Sequence, residues 1–142
     1  MLYTPRTKAA MKLCFEAHKD QTDRSGLPYV FHPFHLAEQM ATENEVCVAL
    51  LHDVMEDTDI TADDIRAAGM PEEVVEALLL MTHNASVDYL AYVRALKGNE
   101  LARAVKIADL RHNSDLTRLD EVSPRDLARA EKYRQALELL EA

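Results

Sequence analysis

Apolar positions recur at spacings of three and four along most of the chain, the period of an amphipathic helix, and capping residues or prolines punctuate them. Thr4-Pro5 opens a helix expected to run to about Lys19, and residues 20–31, which contain Ser25-Gly26-Leu27-Pro28, read as an ordered loop. A second helix is expected from His32-Pro33 to about Ala41. Thr42 and Glu45 form a capping box ahead of Val46-Cys47-Val48-Ala49-Leu50-Leu51, a run apolar on every side that suits the buried centre of a bundle. Beyond it, Thr61 and Asp64 cap a short helix ending at Gly69, and Pro71 opens another. Ser86 is expected to cap a helix that stops at Gly98, and Asn99 one that reaches about Leu116. Ser123-Pro124 with Asp126 start the last. These elements predict an all-α helical bundle forming a single domain over residues 1–142.

Composition agrees with helices and narrows the partners. Three glycines and no tryptophan disfavour a turn-rich β architecture. Lys and Arg number 16 against 25 Asp and Glu, a formal charge of −9 with no basic stretch, so a long nucleic acid is excluded as a partner. Cys14 and Cys47 lie inside apolar patterns without metal or redox spacing and read as reduced core residues. The first residues, MLYTPRTK, lack a signal-peptide core, and Val74 to Met81 is too short and too interrupted to span a bilayer. A cytoplasmic protein is expected.

The chemistry is carried by polar residues placed on apolar faces. His52-Asp53 and Glu56-Asp57 follow the central apolar run directly, with Asp53, Glu56 and Asp57 at helical spacings that continue the stripe Val46, Ala49 and Leu50. Further on, Leu101, Ala104, Val105 and Ala108 form a second stripe, extended by Asp109, His112 and Asn113. Unpaired carboxylates aimed at a core are costly, so cations must pair with them or a metal must bind. With His32, two imidazoles and two carboxylates from three helices form a donor set suited to Mn²⁺, Fe²⁺, Zn²⁺ or Mg²⁺. Taken singly, each residue has a plainer role. A lone histidine is more often hydrogen-bonded or exposed, and Asp109 alone would pair with Lys106 or Arg111. His18 and His35 fit either core packing or support of the ligands, and His83, at a helix end, is given no catalytic role.

Four blocks, Ala17–Gln21, Ser25–Pro33, Ala49–Thr58 and Val105–Asn113, resemble in order the hydrolase domain of the RelA/SpoT alarmone enzymes and its stand-alone form, the small alarmone hydrolases. The resemblance covers about Lys8 to Leu119 and implies an HD-type fold. It implies that His32, His52, Asp53 and Asp109 hold one divalent metal, Mn²⁺ in this family. Glu56 and Asp57 would prepare the attacking water, and Asn113 would lie near the nucleoside end of a small nucleotide. The implied reaction removes the 3′-pyrophosphate of guanosine tetra- or pentaphosphate. Apart from the resemblance, Arg24, Lys106 and Arg111 are the nearest cationic candidates for the outer phosphates. No room is expected for a synthetase domain.

This chain departs from the family pattern at three places. Asp23-Arg24 stands where a basic pair is usual, residues 114–119 replace the usual Met-Arg-Thr-Leu run, and the segment between Thr82 and Gly98 is short. Two other readings follow: an HD phosphohydrolase for another small nucleotide or phosphorylated cofactor, and a non-catalytic helical module that binds a nucleotide.

Overall fold

Side-chain caps set the helix starts in the computed structural model, which describes residues 1–142. Thr4 and its partner Thr7 cap α1 (Pro5–His18), and α2 (Phe31–Glu38) follows a loop braced by a bridge between Thr22 and Pro28. The Thr42–Glu45 box opens α3 (Glu43–Leu51). After α4 (Val54–Asp57), the Thr61–Asp64 box opens α5 (Ala62–Ala67), which ends at Gly69 with φ +96°. That left-handed backbone suits glycine, and it lets the Met70 N–H turn back to the Ile65 carbonyl. Then come α6 (Glu72–Met81), α7 (Tyr89–Leu96), α8 (Glu100–Asn113) and, behind the Ser123–Asp126 box, α9 (Pro124–Glu141). The all-α expectation is met.

Helix α3 is the axis of the bundle: Val46 to Leu51 are each fully buried, and α1, α2, α6 and α8 pack around it. Burying each Val or Leu there contributes about 1.5–3 kcal/mol. Helix α9 covers α7 and α8 from the other side. No helix is long and apolar enough to cross a membrane.

Three local expectations need correction. Ser86 does not cap α7: its N–H and hydroxyl both turn to Asn84 Oδ1, and Asp88 caps the helix through the Ala91 N–H. Helix α8 stops at Asn113 rather than Leu116. The Ser114 hydroxyl donates to the Leu110 carbonyl, and Asp115 caps a separate 3-10 turn, Leu116–Arg118. The central helix is not continuous into Glu56-Asp57. His52 Nδ1 donates to the Ala49 carbonyl (2.7 Å), and Asp53 takes φ −108°, ψ 0°, so α3 and α4 are separated by a turn at His52-Asp53.

Candidate metal centre and adjoining cleft

That turn, the first turn of α2 and the last turns of α8 meet. The ligating atoms of His32, His52 and Asp109 lie within 4.8 Å of one another, and all three side chains are buried. His32 Nε2 is 2.9 Å from Asp109 Oδ1, and His52 Nε2 is 3.5 Å from the same oxygen. Asp53 stands one step out: its Oδ2 is 3.1 Å from His52 Nε2 and also accepts from the Tyr29 hydroxyl.

His52 decides what this cluster can hold. Its Nδ1–H is committed to the Ala49 carbonyl, so Nε2 presents a lone pair, buried and without a hydrogen-bond partner, toward two carboxylates. Such a facing of electron pairs is unfavourable until a cation lies between them. Two imidazole nitrogens and carboxylate oxygens suit a borderline divalent ion, and the cluster can bind a metal.

Electrostatics point the same way. Burial pushes the Asp53 carboxyl well above the ordinary range, and repulsion from Asp109, Asp57 and Glu56 adds to it. Burial also opposes ionisation of Asp109, but Lys106 and the bond from His32 hold it well below its usual value. Lys106 Nζ lies 2.9 Å from Asp109 Oδ2 and within 5.8 Å of the ring centres of both Tyr89 and Tyr92. Burial lowers the His32 pKa despite the Asp109 bond.

A cavity of about 170 Å³ opens on the cluster, lined by His52, Asp53, Glu56, Lys106, Asp109 and Asn113 among others. Glu56 is exposed on its rim and accepts from the His83 N–H. The inward stripe expected for all three acids is therefore met only by Asp53. Asp57 is exposed and does not line the cavity, although its charge acts on His18 and Asp53. Asn113 Nδ2 donates to Asp109 Oδ1. A second cleft of about 300 Å³ shares Asn113 and Tyr133 with the first, and Arg24 lies on it.

Arg111 is not part of this arrangement. It is exposed and pairs with Glu141 at the end of α9, because two residues of helix carry it about 200° around α8 from Asp109. Other residues are recruited: Tyr29, Arg118 and Arg129, which the pattern did not single out, and the four remaining histidines, to which it gave no definite role. Tyr29 anchors Asp53, and His112 bonds His32 edge to edge (Nδ1 to Nδ1, 2.7 Å) with the two rings nearly parallel. His83 holds Glu56, and Arg118 and Arg129 line the cleft. His35 is exposed and packs on His112, ring centres 4.2 Å apart, so it supports the cluster from outside. His18 is fully buried, and its Nδ1 takes the Gln21 side chain at 2.9 Å. Of these, His112 alone carried a spacing signal, at i+3 from Asp109.

Comparison with known proteins agrees with the geometry. A solved structure of a metazoan SpoT ortholog, described as hydrolysing ppGpp, superposes with a TM-score of 0.74, covering 99% of this chain and 85% of that one at 21% identity. The chain is similar, in sequence and in fold, to the HD-type hydrolase domain of the RelA/SpoT enzymes. A Vibrio cholerae guanosine-3′,5′-bis(diphosphate) 3′-pyrophosphohydrolase is 45% identical over 56 residues, 37% of this chain. A probable enzyme of the same name from Synechocystis is 29% identical over 129 residues, 81% of the chain. A putative chloroplastic GTP diphosphokinase of Arabidopsis thaliana is 34% identical over 121 residues, 77% of the chain. The chain spans 8%, 17% and 13% of those three RelA/SpoT relatives. No protein-family profile matches it.

Proposed function

We propose that this chain is a metal-dependent phosphohydrolase that removes the 3′-pyrophosphate of guanosine 3′,5′-bis(diphosphate) or a close relative. In this reading His32, His52, Asp53 and Asp109 hold one divalent ion, Mn²⁺, residues 1–142 act as a single hydrolase domain, and the reaction is cytoplasmic. The observation that carries it is the buried, unpartnered Nε2 of His52 beside the Asp109 carboxylate, at a cavity open to a phosphate group. A divalent ion in such a site lowers the pKa of a coordinated water toward about 7 and polarises phosphorus.

The chain's own residues supply the rest. Glu56, steadied by the His83 N–H, orients the attacking water and takes its proton. Asp57 acts on the same charges from outside the cavity. The Lys106 ammonium, beside the Tyr89 and Tyr92 rings, offsets charge gathering on the nonbridging oxygens. Asn113 stands between the two cavities, its amide N–H committed to Asp109 and its oxygen left to accept from a sugar hydroxyl. Arg24, with its side chain on the second cleft, lies toward the nucleoside half.

Metal analysis of the purified protein, followed by pyrophosphate release from a nucleotide panel, tests the reading. It expects about one divalent ion per chain and release stimulated by Mn²⁺. Nucleotide binding without release under any of Mn²⁺, Fe²⁺, Zn²⁺ or Mg²⁺ would overturn it in favour of a non-catalytic module.

A further inference from the structure

The larger cleft is the place for the half of the substrate that does not react, and its charges are already matched. Three arginines, Arg24, Arg118 and Arg129, line it together with three aspartates, Asp23, Asp115 and Asp126. Arg118 gives one Nη to Asp23 Oδ2 (3.1 Å) and the other to the His112 carbonyl (2.9 Å). Arg129 and Arg24 both face Asp126 Oδ1, at 3.4 and 3.7 Å.

These acids are not free to swing aside and release their arginines. Asp23 Oδ1 accepts from the Ser25 N–H, the Ser25 hydroxyl and the Leu27 N–H. Asp126 Oδ2 accepts from the N–H and hydroxyl of Ser123 as the cap of α9. Asp115 Oδ1 accepts from the N–H and hydroxyl of Thr117. Backbone geometry therefore holds a carboxylate beside each place where a phosphate would seek an arginine. A terminal phosphate entering the cleft meets as much negative as positive charge, inside a protein of net charge −9. Tyr29, Tyr133, Leu116, Leu119 and the Asn113 amide suit a base and sugar instead.

Resting on the phosphohydrolase reading above, we infer that this cleft binds the nucleoside through base and sugar and gains nothing from 5′-phosphates. The enzyme's substrates then include nucleoside 3′-diphosphates with a free 5′-hydroxyl. The departure at Asp23 is central, because it gives Arg118 a fixed carboxylate as partner.

The test compares pyrophosphate release from guanosine 3′,5′-bis(diphosphate) and guanosine 3′-diphosphate by the Mn²⁺-loaded protein, with kcat/KM measured at several salt concentrations. The expected result is kcat/KM for the 5′-hydroxyl compound equal to or above that for the bis(diphosphate), and a ratio that salt barely moves. Asp23→Asn, which keeps the acceptor for Ser25 and Leu27, is expected to shift the ratio toward the bis(diphosphate) by about tenfold. A wild-type preference of more than tenfold for the bis(diphosphate) would overturn the inference and leave the phosphohydrolase reading intact. Release from neither compound would overturn that reading, and the inference with it.

Discussion

Replacing Lys106 by Met separates the roles of the two cations that can serve Asp109. The Lys106 ammonium lies 2.9 Å from Asp109 Oδ2, with side chains only 12% and 5% exposed. At an effective dielectric of about 20 the attraction is roughly 6 kcal/mol, much of it offset by desolvation of both groups. Removing one partner of such a pair costs about 3–5 kcal/mol, because the other charge is left buried. Methionine keeps the bulk beside Tyr89 and Tyr92, so the loss reports charge and not a cavity. For a chain of this size the Tm should fall by about 6–20 °C. Thermal melts of both proteins in a chelator and in saturating Mn²⁺ check this. A cation bound beside Asp109 supplies the charge that the substituted side chain lacks, so the gap should narrow by at least half when Mn²⁺ is added. An equal gap with and without the ion, or none in the chelator, would refute the idea that Lys106 and a divalent ion neutralise the same carboxylate.

Asp53→Ala should abolish both retained metal and pyrophosphate release; full metal content by elemental analysis together with an unchanged rate would remove Asp53 from the ligand set. Glu56→Gln should lower kcat by about 10²–10⁴ while leaving metal content intact, as single-turnover assays on metal-loaded protein can establish. Burial, with the charges of Arg118, His32 and His35, lowers the His112 pKa to about 4. The unfolded chain therefore takes up the proton first, and His112 costs stability as pH falls from about 6.5 toward 4. In urea unfolding of ion-free protein over that window, His112→Gln should lose stability less steeply than the parent, by at most about 1.4 kcal/mol per pH unit. Identical slopes would contradict this. Leu50→Ala, at a fully buried position of α3, should cost about 2–5 kcal/mol in the same assay.

The fold was legible where local chemistry determines it. Thr4, Thr42, Thr61 and Ser123 each cap a helix as their spacing predicts, because a cap needs only residues within one turn. It was not legible where a side chain competes for the backbone: Ser86 has a nearer partner in Asn84, and the Ser114 hydroxyl ends α8 early. Of the His-Asp cluster, Asp109 was legible because it extends the apolar stripe of α8, whereas the helical period did not itself place His32 or His52 beside it. The cations were not. Arg111 and Lys106 read alike as charges near Asp109, yet one faces α9 and the other the cavity. Tyr29, Arg118 and Arg129 reach the site only through tertiary packing, for which their neighbours in sequence carry no signal.

The break after Leu51 joins the fold to the chemistry. Adjacent residues in a regular helix point about 100° apart, so an unbroken α3 would send His52 and Asp53 to different faces and only one could serve the cluster. The His52 imidazole, by donating to the Ala49 carbonyl, helps close a turn at Asp53, and the same bond assigns its proton to Nδ1 and leaves Nε2 facing inward. The turn then brings Asp53 Oδ2 to 3.1 Å from that nitrogen. It also sets α4 at an angle that carries Glu56 to the rim, where the His83 N–H holds it. The adjacent His-Asp pair is therefore useful here because the helical run is interrupted at Asp53. A substitution that restored a regular helix through residues 52–57 would disperse His52, Asp53 and Glu56 without touching any of them.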